Sequence, residues 1–125
     1  MKTIIFYITD HEEIVKSVKS LTDDIKNRED ASHQLYFKFL MGGAYTISRG
    51  RTDENGVREL TGDHEILFIP STRQRDIERL KETKTVIWYK NAMIIAGDGE
   101  KPKELRKLLI NWLLNDKEEF NYENE

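Results

Sequence analysis

The chain has 125 residues, no cysteine and a net charge of −3, with 38% hydrophobic and 34% charged residues. This length suits one domain with a hydrophobic core, and the hydrophobic content is too high for a chain disordered by composition. The lack of cysteine excludes disulfides, thiolate metal sites and a cysteine nucleophile. The mildly acidic charge excludes the global basic excess typical of many nucleic-acid binders.

The N-terminal apolar run, Ile4–Tyr7, is too short for a signal peptide, and Asp10 interrupts the region. No apolar run approaches the ~20 residues that a membrane-spanning helix needs. Together with the absence of cysteine, these features predict a cytoplasmic protein with no membrane partner.

The first half of the chain predicts a strand, a helix and a series of short strands. The first strand covers Thr3–Thr9, and Asp10 begins an amphipathic helix. The apolar stripe of that helix comprises Ile14, Val18, Leu21 and Ile25. Further strands are predicted over residues 34–40, 44–51, 57–60 and 65–69. Turns are predicted at Asn55-Gly56 and at Thr61-Gly62-Asp63.

The second half predicts a helix after Pro70, a hairpin and a last helix. The stretch Thr85–Gly99 is the most apolar, and its two β-rich runs, 86–89 and 92–96, flank a two-residue polar gap. This pattern predicts a hairpin at the centre of the sheet. The last helix is predicted from about Pro102 to Lys117.

The fold class that follows is α+β, because runs of adjacent strands do not alternate regularly with helices. We expect a single two-layer domain over residues 1–115, with a mostly antiparallel sheet and about three helices packed on it. Residues 116–125 form an acidic tail without aliphatic side chains, which is expected to fray.

Arginines form two candidate phosphate sites. Arg49 and Arg51 lie two apart on one predicted strand, and Arg58 on the returning strand can join them. The second candidate site is the start of the predicted helix after Pro70, where exposed backbone N–H groups would lie beside four polar or cationic side chains. These belong to Ser71, Thr72, Arg73 and Arg75. The alternative is a solvated surface on which these arginines pair with neighbouring acids, and the low specificity of the pattern favours it.

The tripeptide Asp-His-Glu occurs twice, at residues 10–12 and 63–65. A histidine beside carboxylates can serve as an acid or base or bind a metal, so His11 and His64 are the candidate catalytic residues. Their spacing matches no metal motif, and chance repetition is the simpler explanation in a chain with 23 acidic residues. We therefore predict no metal and no cofactor.

The last helix is apolar beyond a single stripe, because Ile110 and Leu114 widen the face that carries Trp112. A helix of this kind is deeply buried or covered by a second chain. Ile110, Trp112 and Leu114 are therefore the candidate interaction face.

Two functions stay open at this level. The first is a binding or regulatory module that acts through protein–protein contacts, as a homodimer or by capping a partner. The alternative is a binder of a phosphate-bearing ligand, either a nucleotide or a nucleic acid, extending to a small metal-independent nuclease or phosphoesterase. The lack of a nucleophile, metal or cofactor motif favours binding over catalysis, although function resides in sites rather than folds.

Overall fold

The computed structural model describes residues 2–8, 11–28, 34–40, 42–70, 78–79, 86–89 and 93–121. The elements in chain order are β1 (Lys2–Ile8), α1 (His11–Lys26), β2 (Leu35–Phe39), β3 (Tyr45–Thr52), β4 (Arg58–Pro70), β5 (Val86–Tyr89), α2 (Met93–Ala96) and α3 (Glu100–Leu114). Among the elements within these ranges, only α1 and α3 are long helices, since α2 is a single turn. The expected number of about three helices is therefore slightly off, and most of the helix predicted after Pro70 lies outside the described residues. None of the helices in these ranges is long and apolar enough to cross a membrane.

The α+β class is confirmed, but the sheet is mixed rather than mostly antiparallel. Its order is β2-β3-β4-β1-β5. The pairs β2–β3 and β3–β4 are antiparallel, whereas β1 runs parallel to both β4 and β5. Hydrophobic patterning reveals that strands exist but not which strands pair, and parallel neighbours are far apart in sequence.

The predicted central hairpin is wrong. Val86–Tyr89 is a strand, but it pairs with β1 at one end of the sheet order, and the middle strand is β4. The second apolar run forms α2, over Met93–Ala96, instead of a returning strand. A short apolar run does not show by its periodicity alone whether it is helix or strand.

The second difference is that β4 continues through Thr61–Asp63, where the sequence predicted a turn. Ser48 of β3 pairs with Glu65, but Gly50 pairs with Leu60, so one residue of β3 faces four residues of β4 (61–64). The glycine-containing stretch therefore marks an irregularity in the ladder, not a chain reversal.

The main core lies between the sheet and the two long helices. The stripe predicted for α1 is confirmed, because Ile14, Leu21 and Ile25 are buried and Val18 packs against the same core. A smaller cluster on the opposite face of the sheet contains Ile5, Ala44, Leu67 and Ile69. The central strands β1 and β4 thus bury side chains on both faces.

The candidate interaction face on the last helix is buried inside the chain itself. Ile110 and Trp112 are only 1% and 2% exposed, and Leu114 packs against the same core. Phe120 is also buried, and its ring lies 6.2 Å from that of Trp112. The breadth of the apolar face is explained because α3 is covered on several sides. Phe120 and Asp116, which lie in the predicted tail, both contact the domain.

Candidate functional site

Arg49, predicted as a phosphate ligand, closes the carboxyl end of α3. Its Nη1 donates to the carbonyl oxygen of Leu114 at 2.7 Å, and its Nη2 donates to that of Thr61 at 3.2 Å. The same Nη2 forms an ion pair with the Asp116 carboxylate. The last carbonyls of a helix have no partner within the helix and lie at the negative end of its dipole, so a guanidinium is stabilising there. The Arg49 guanidinium is therefore used in contacts within the chain that stabilise the fold.

His64, predicted as a catalytic candidate, is buried under Trp112. The two rings are stacked, with centroids 4.3 Å apart and planes 10° from parallel. His64 Nδ1 lies 2.7 Å from the Trp112 carbonyl oxygen. Because a carbonyl only accepts, Nδ1 carries the proton and donates. The ring is 1% exposed, so it packs against α3 and does not face a substrate cleft.

Asp116 joins these two groups. Its Oδ1 accepts a hydrogen bond from the backbone N–H of Asp63 at 3.0 Å and lies 3.8 Å from His64 Nδ1. The Asp63 hydrogen bond lowers the pKa of the Asp116 carboxyl, with Arg49 and His64 acting in the same direction against a smaller effect of burial. We call Arg49, His64, Trp112 and Asp116 the C-terminal clamp. The structure thus brings Arg49 and His64 together, and both hold the carboxyl end of α3 in place.

The two Asp-His-Glu tripeptides do not meet. The strands β1 and β4 are neighbours, but they are parallel, with Lys2 opposite His64 and Ile8 opposite Pro70. His11 begins α1 beyond the far end of β1. Six strand residues at about 3.3 Å each separate the two histidines by roughly 20 Å. A joint metal or acid–base site is therefore excluded for His11 and His64.

The remaining arginine candidates do not converge either. Arg51 pairs with Glu59 at 3.1 Å across the hairpin, and both side chains are more than half exposed. Arg58 lies over the ring of Tyr36, with its guanidinium carbon 5.8 Å from the ring centroid. Arg49 turns instead toward α3, so the three arginines share no site. Ser71, Thr72, Arg73 and Arg75 lie outside the described residues.

One surface that sequence reasoning missed lies beside β2. Phe39 and Val15 are 55% and 48% exposed, and both line an apolar cleft of about 310 Å³ between α1 and the sheet. No described strand pairs with the outer side of β2, which is the first strand in the sheet order. We call Val15, Phe39 and the outer backbone of β2 the edge surface.

The hydrogen-bond phase of β2 determines which of its backbone groups face outward. Leu40 N donates to Ala44 O, and Gly50 N donates to Gln34 O. In an antiparallel ladder, every second residue bonds to the neighbouring strand, so the even-numbered residues of β2 bond to β3. The N–H and C=O groups that point away from the sheet belong to Leu35, Phe37 and Phe39.

A second missed surface is a cleft of about 340 Å³ between α1 and α3. The charged and polar side chains that line it are Asp24, Arg28, Lys103, Arg106, Lys107 and Asn111. The spacing of Lys103, Lys107 and Asn111, four residues apart each time, was the available sequence signal for one wall. Arg28 joins them only through the packing of α1 against α3. We call this surface the cationic cleft.

Comparisons with protein-family models, with curated proteins and with solved structures find no match for this chain. Within the described ranges, no three His, Asp or Glu side chains are arranged to hold a metal ion. The geometry of the surfaces themselves is therefore the basis for inferring the function.

Proposed function

We propose that this protein is a protein-interaction module that acts through the edge surface, and that its partner is a second copy of the chain. The observation that carries the proposal is the position of the exposed Phe39 and Val15 next to the outer side of β2. An edge strand offers a row of backbone donors and acceptors that a second strand can satisfy.

Two β2 strands related by a two-fold axis pair in the antiparallel direction. A register centred on Phe37 uses all three outward-facing residues of each copy and continues the sheet across the interface. This register places Lys38 of one copy beside Tyr36 of the other, so it avoids a direct contact between two lysines.

The apolar part of the edge surface adds to the backbone pairing. Phe39 and Val15 are each about half exposed, so completing their burial stabilises the dimer by about 1 kcal/mol per side chain. In the monomer, both side chains stay partly in contact with water and do not contribute this stabilisation. We therefore propose the edge surface as the interaction face in place of the one predicted on the last helix, because Ile110 and Trp112 are already buried within the chain.

The test is the molecular mass in solution, measured by sedimentation equilibrium from low to high micromolar concentration. We expect the wild type to dimerise and Phe39→Lys to shift the equilibrium to monomer. Val57→Lys is the matched control, because Val57 is 59% exposed in the β3–β4 turn and does not line the cleft that contains Phe39 and Val15. A wild type that stays monomeric throughout, or equal effects of both variants, would contradict the proposal.

Within the described chain, the alternative function is supported only in its non-catalytic form. His64 is buried, and His11 is far from it, so these two candidates provide no acid–base pair for a nuclease or phosphoesterase. Anion binding is favoured by a separate observation, the cationic cleft.

A further inference from the structure

Arg106 forms the buried base of the cationic cleft. The two N–H groups of its guanidinium Nη1 are shared among three acceptors, Ile95 O at 2.6 Å, Gly97 O at 3.1 Å and Ser20 Oγ at 3.1 Å. Its Nε contacts the carboxylate of Asp24 as an ion pair. The side chain is only 8% exposed, so these contacts fix both its position and its charge. Asp24, the one carboxylate among the described lining residues, is therefore already engaged.

Three further cations line the cleft above this base. Lys103 and Lys107 lie one turn apart on α3, and Asn111 follows at the same spacing, with an axial rise of about 6 Å per step. Arg28 faces them from the end of α1, where its Nη2 donates to Asn111 Oδ1 at 3.3 Å. Neither lysine nor Arg28 forms an ion pair with another described residue.

The cleft thus concentrates positive charge on a protein that is negative overall. Four cationic side chains and one carboxylate give its lining a formal charge of +3, against −3 for the whole chain. Like charges held together in a partly enclosed space repel each other, and a bound anion relieves that repulsion. A guanidinium and two ammonium groups provide the donors that phosphate oxygens accept.

The rest of the lining narrows the class of ligand. Ile110 is the apolar residue of the cleft, and the described lining contains no aromatic ring on which a base could stack. The donors therefore recognise the phosphate group itself and not a nucleobase.

We propose that the cationic cleft binds a phosphate group, held by Arg28, Lys103 and Lys107 above the fixed charge of Arg106. The site is independent of the edge surface, because no residue lines both clefts. The ligand class is a phosphate anion carrying two or more negative charges, either inorganic or as the monoester of a small molecule.

The test is isothermal titration of the full chain at low ionic strength with inorganic phosphate, pyrophosphate and glycerol 3-phosphate. We expect saturable binding that weakens as salt is added. The double variant Lys103→Ala/Lys107→Ala should bind at least ~10-fold more weakly, because it removes two charge-assisted contacts. Both lysines are exposed, so the variant keeps its fold, which circular dichroism checks.

The matched control is Lys2→Ala/Lys117→Ala, which removes the same charge from exposed positions that line neither this cleft nor the edge surface. Its affinity should stay within about twofold of the wild type if binding is local and not general attraction. Equal weakening by both double variants, or no saturable binding of any probe, would overturn the proposal. Tighter binding of the monoester than of inorganic phosphate would support a phosphorylated small molecule, and equal affinities would support the free anion.

Discussion

Arg49 and Arg106 both tie α3 to the rest of the protein, but their surroundings differ in charge. Arg106 connects the first half of α3 to α1 and to the carbonyls around α2, whereas Arg49 closes its carboxyl end. In the C-terminal clamp, the Arg49 guanidinium faces the carboxylate of Asp116. In the cationic cleft, Asp24 offsets Arg106, but three more cations lie alongside. A buried arginine that connects elements does not by itself indicate a ligand site. The excess positive charge around Arg106 is the feature on which the proposed phosphate site rests.

The largest effect is expected for Arg106→Met, which removes the guanidinium of the more buried of the two arginines. This change leaves the carbonyls of Ile95 and Gly97 without the donor that Nη1 provides, and Asp24 without its partner. We expect the free energy of unfolding to fall by about 3 kcal/mol, measured by urea denaturation. Arg51→Ala is the control, because its ion pair is exposed and should contribute less than about 0.5 kcal/mol. A similar decrease in the free energy of unfolding in both variants would show that the buried contacts of Arg106 do not stabilise the fold more than an exposed ion pair does.

A smaller effect is expected for Gly62→Ala, which displaces Arg49 in the C-terminal clamp. A Cβ at position 62 would lie 2.9 Å from Arg49 Cβ and 3.0 Å from Arg49 Nε. Displacing Arg49 should lower the free energy of unfolding by about 1–2 kcal/mol. In an Arg49→Gly background, which removes both the Cβ and the Nε of Arg49, the penalty should largely disappear, and a double-mutant cycle measures this. A penalty that persists in that background would place its origin elsewhere.

The smallest effect is the pH dependence contributed by Asp116. Its pKa is lowered in the folded protein from an ordinary value of 3.8. The ionised carboxylate therefore stabilises the fold fully above that value, and the contribution is lost as the pH falls through the lowered pKa. Because the side chain is 36% exposed, we expect the difference in unfolding free energy between wild type and Asp116→Asn to be below ~1 kcal/mol. Urea denaturation should show it near pH 6 and find it shrinking toward about pH 3, while a constant difference would contradict the assignment.

The local elements were largely predictable, and the failures share one cause. The pattern of β1 and the stripe of α1 follow directly from residue spacing, which local geometry determines. Thr61–Asp63 carried a real break signal, but whether a glycine there reverses the chain or only distorts a ladder depends on what packs against it. Here Gly62 lies close to Arg49, and the neighbouring Asp63 N–H bonds to Asp116. Neither partner is near it in sequence.

The candidate site was less predictable than the fold. Arg49 and His64 were selected for their chemistry, yet both are used to hold α3, since buried polar groups must find partners wherever the chain supplies them. The apolar width of the last helix correctly indicated extensive burial. It did not show that the chain's own tail, through Phe120, would help to provide it.

The α+β class, the main amphipathic helix and the absence of cysteine chemistry follow from the sequence alone, because composition and short-range periodicity encode these properties. The tertiary structure was needed to establish that β1 runs parallel to β4, which keeps His11 and His64 apart. It likewise decided that Arg28 faces Lys103 and Lys107 across one cleft. Such contacts join residues about 60 to 80 positions apart, and no local pattern specifies which distant side chains meet when strands pair and helices pack.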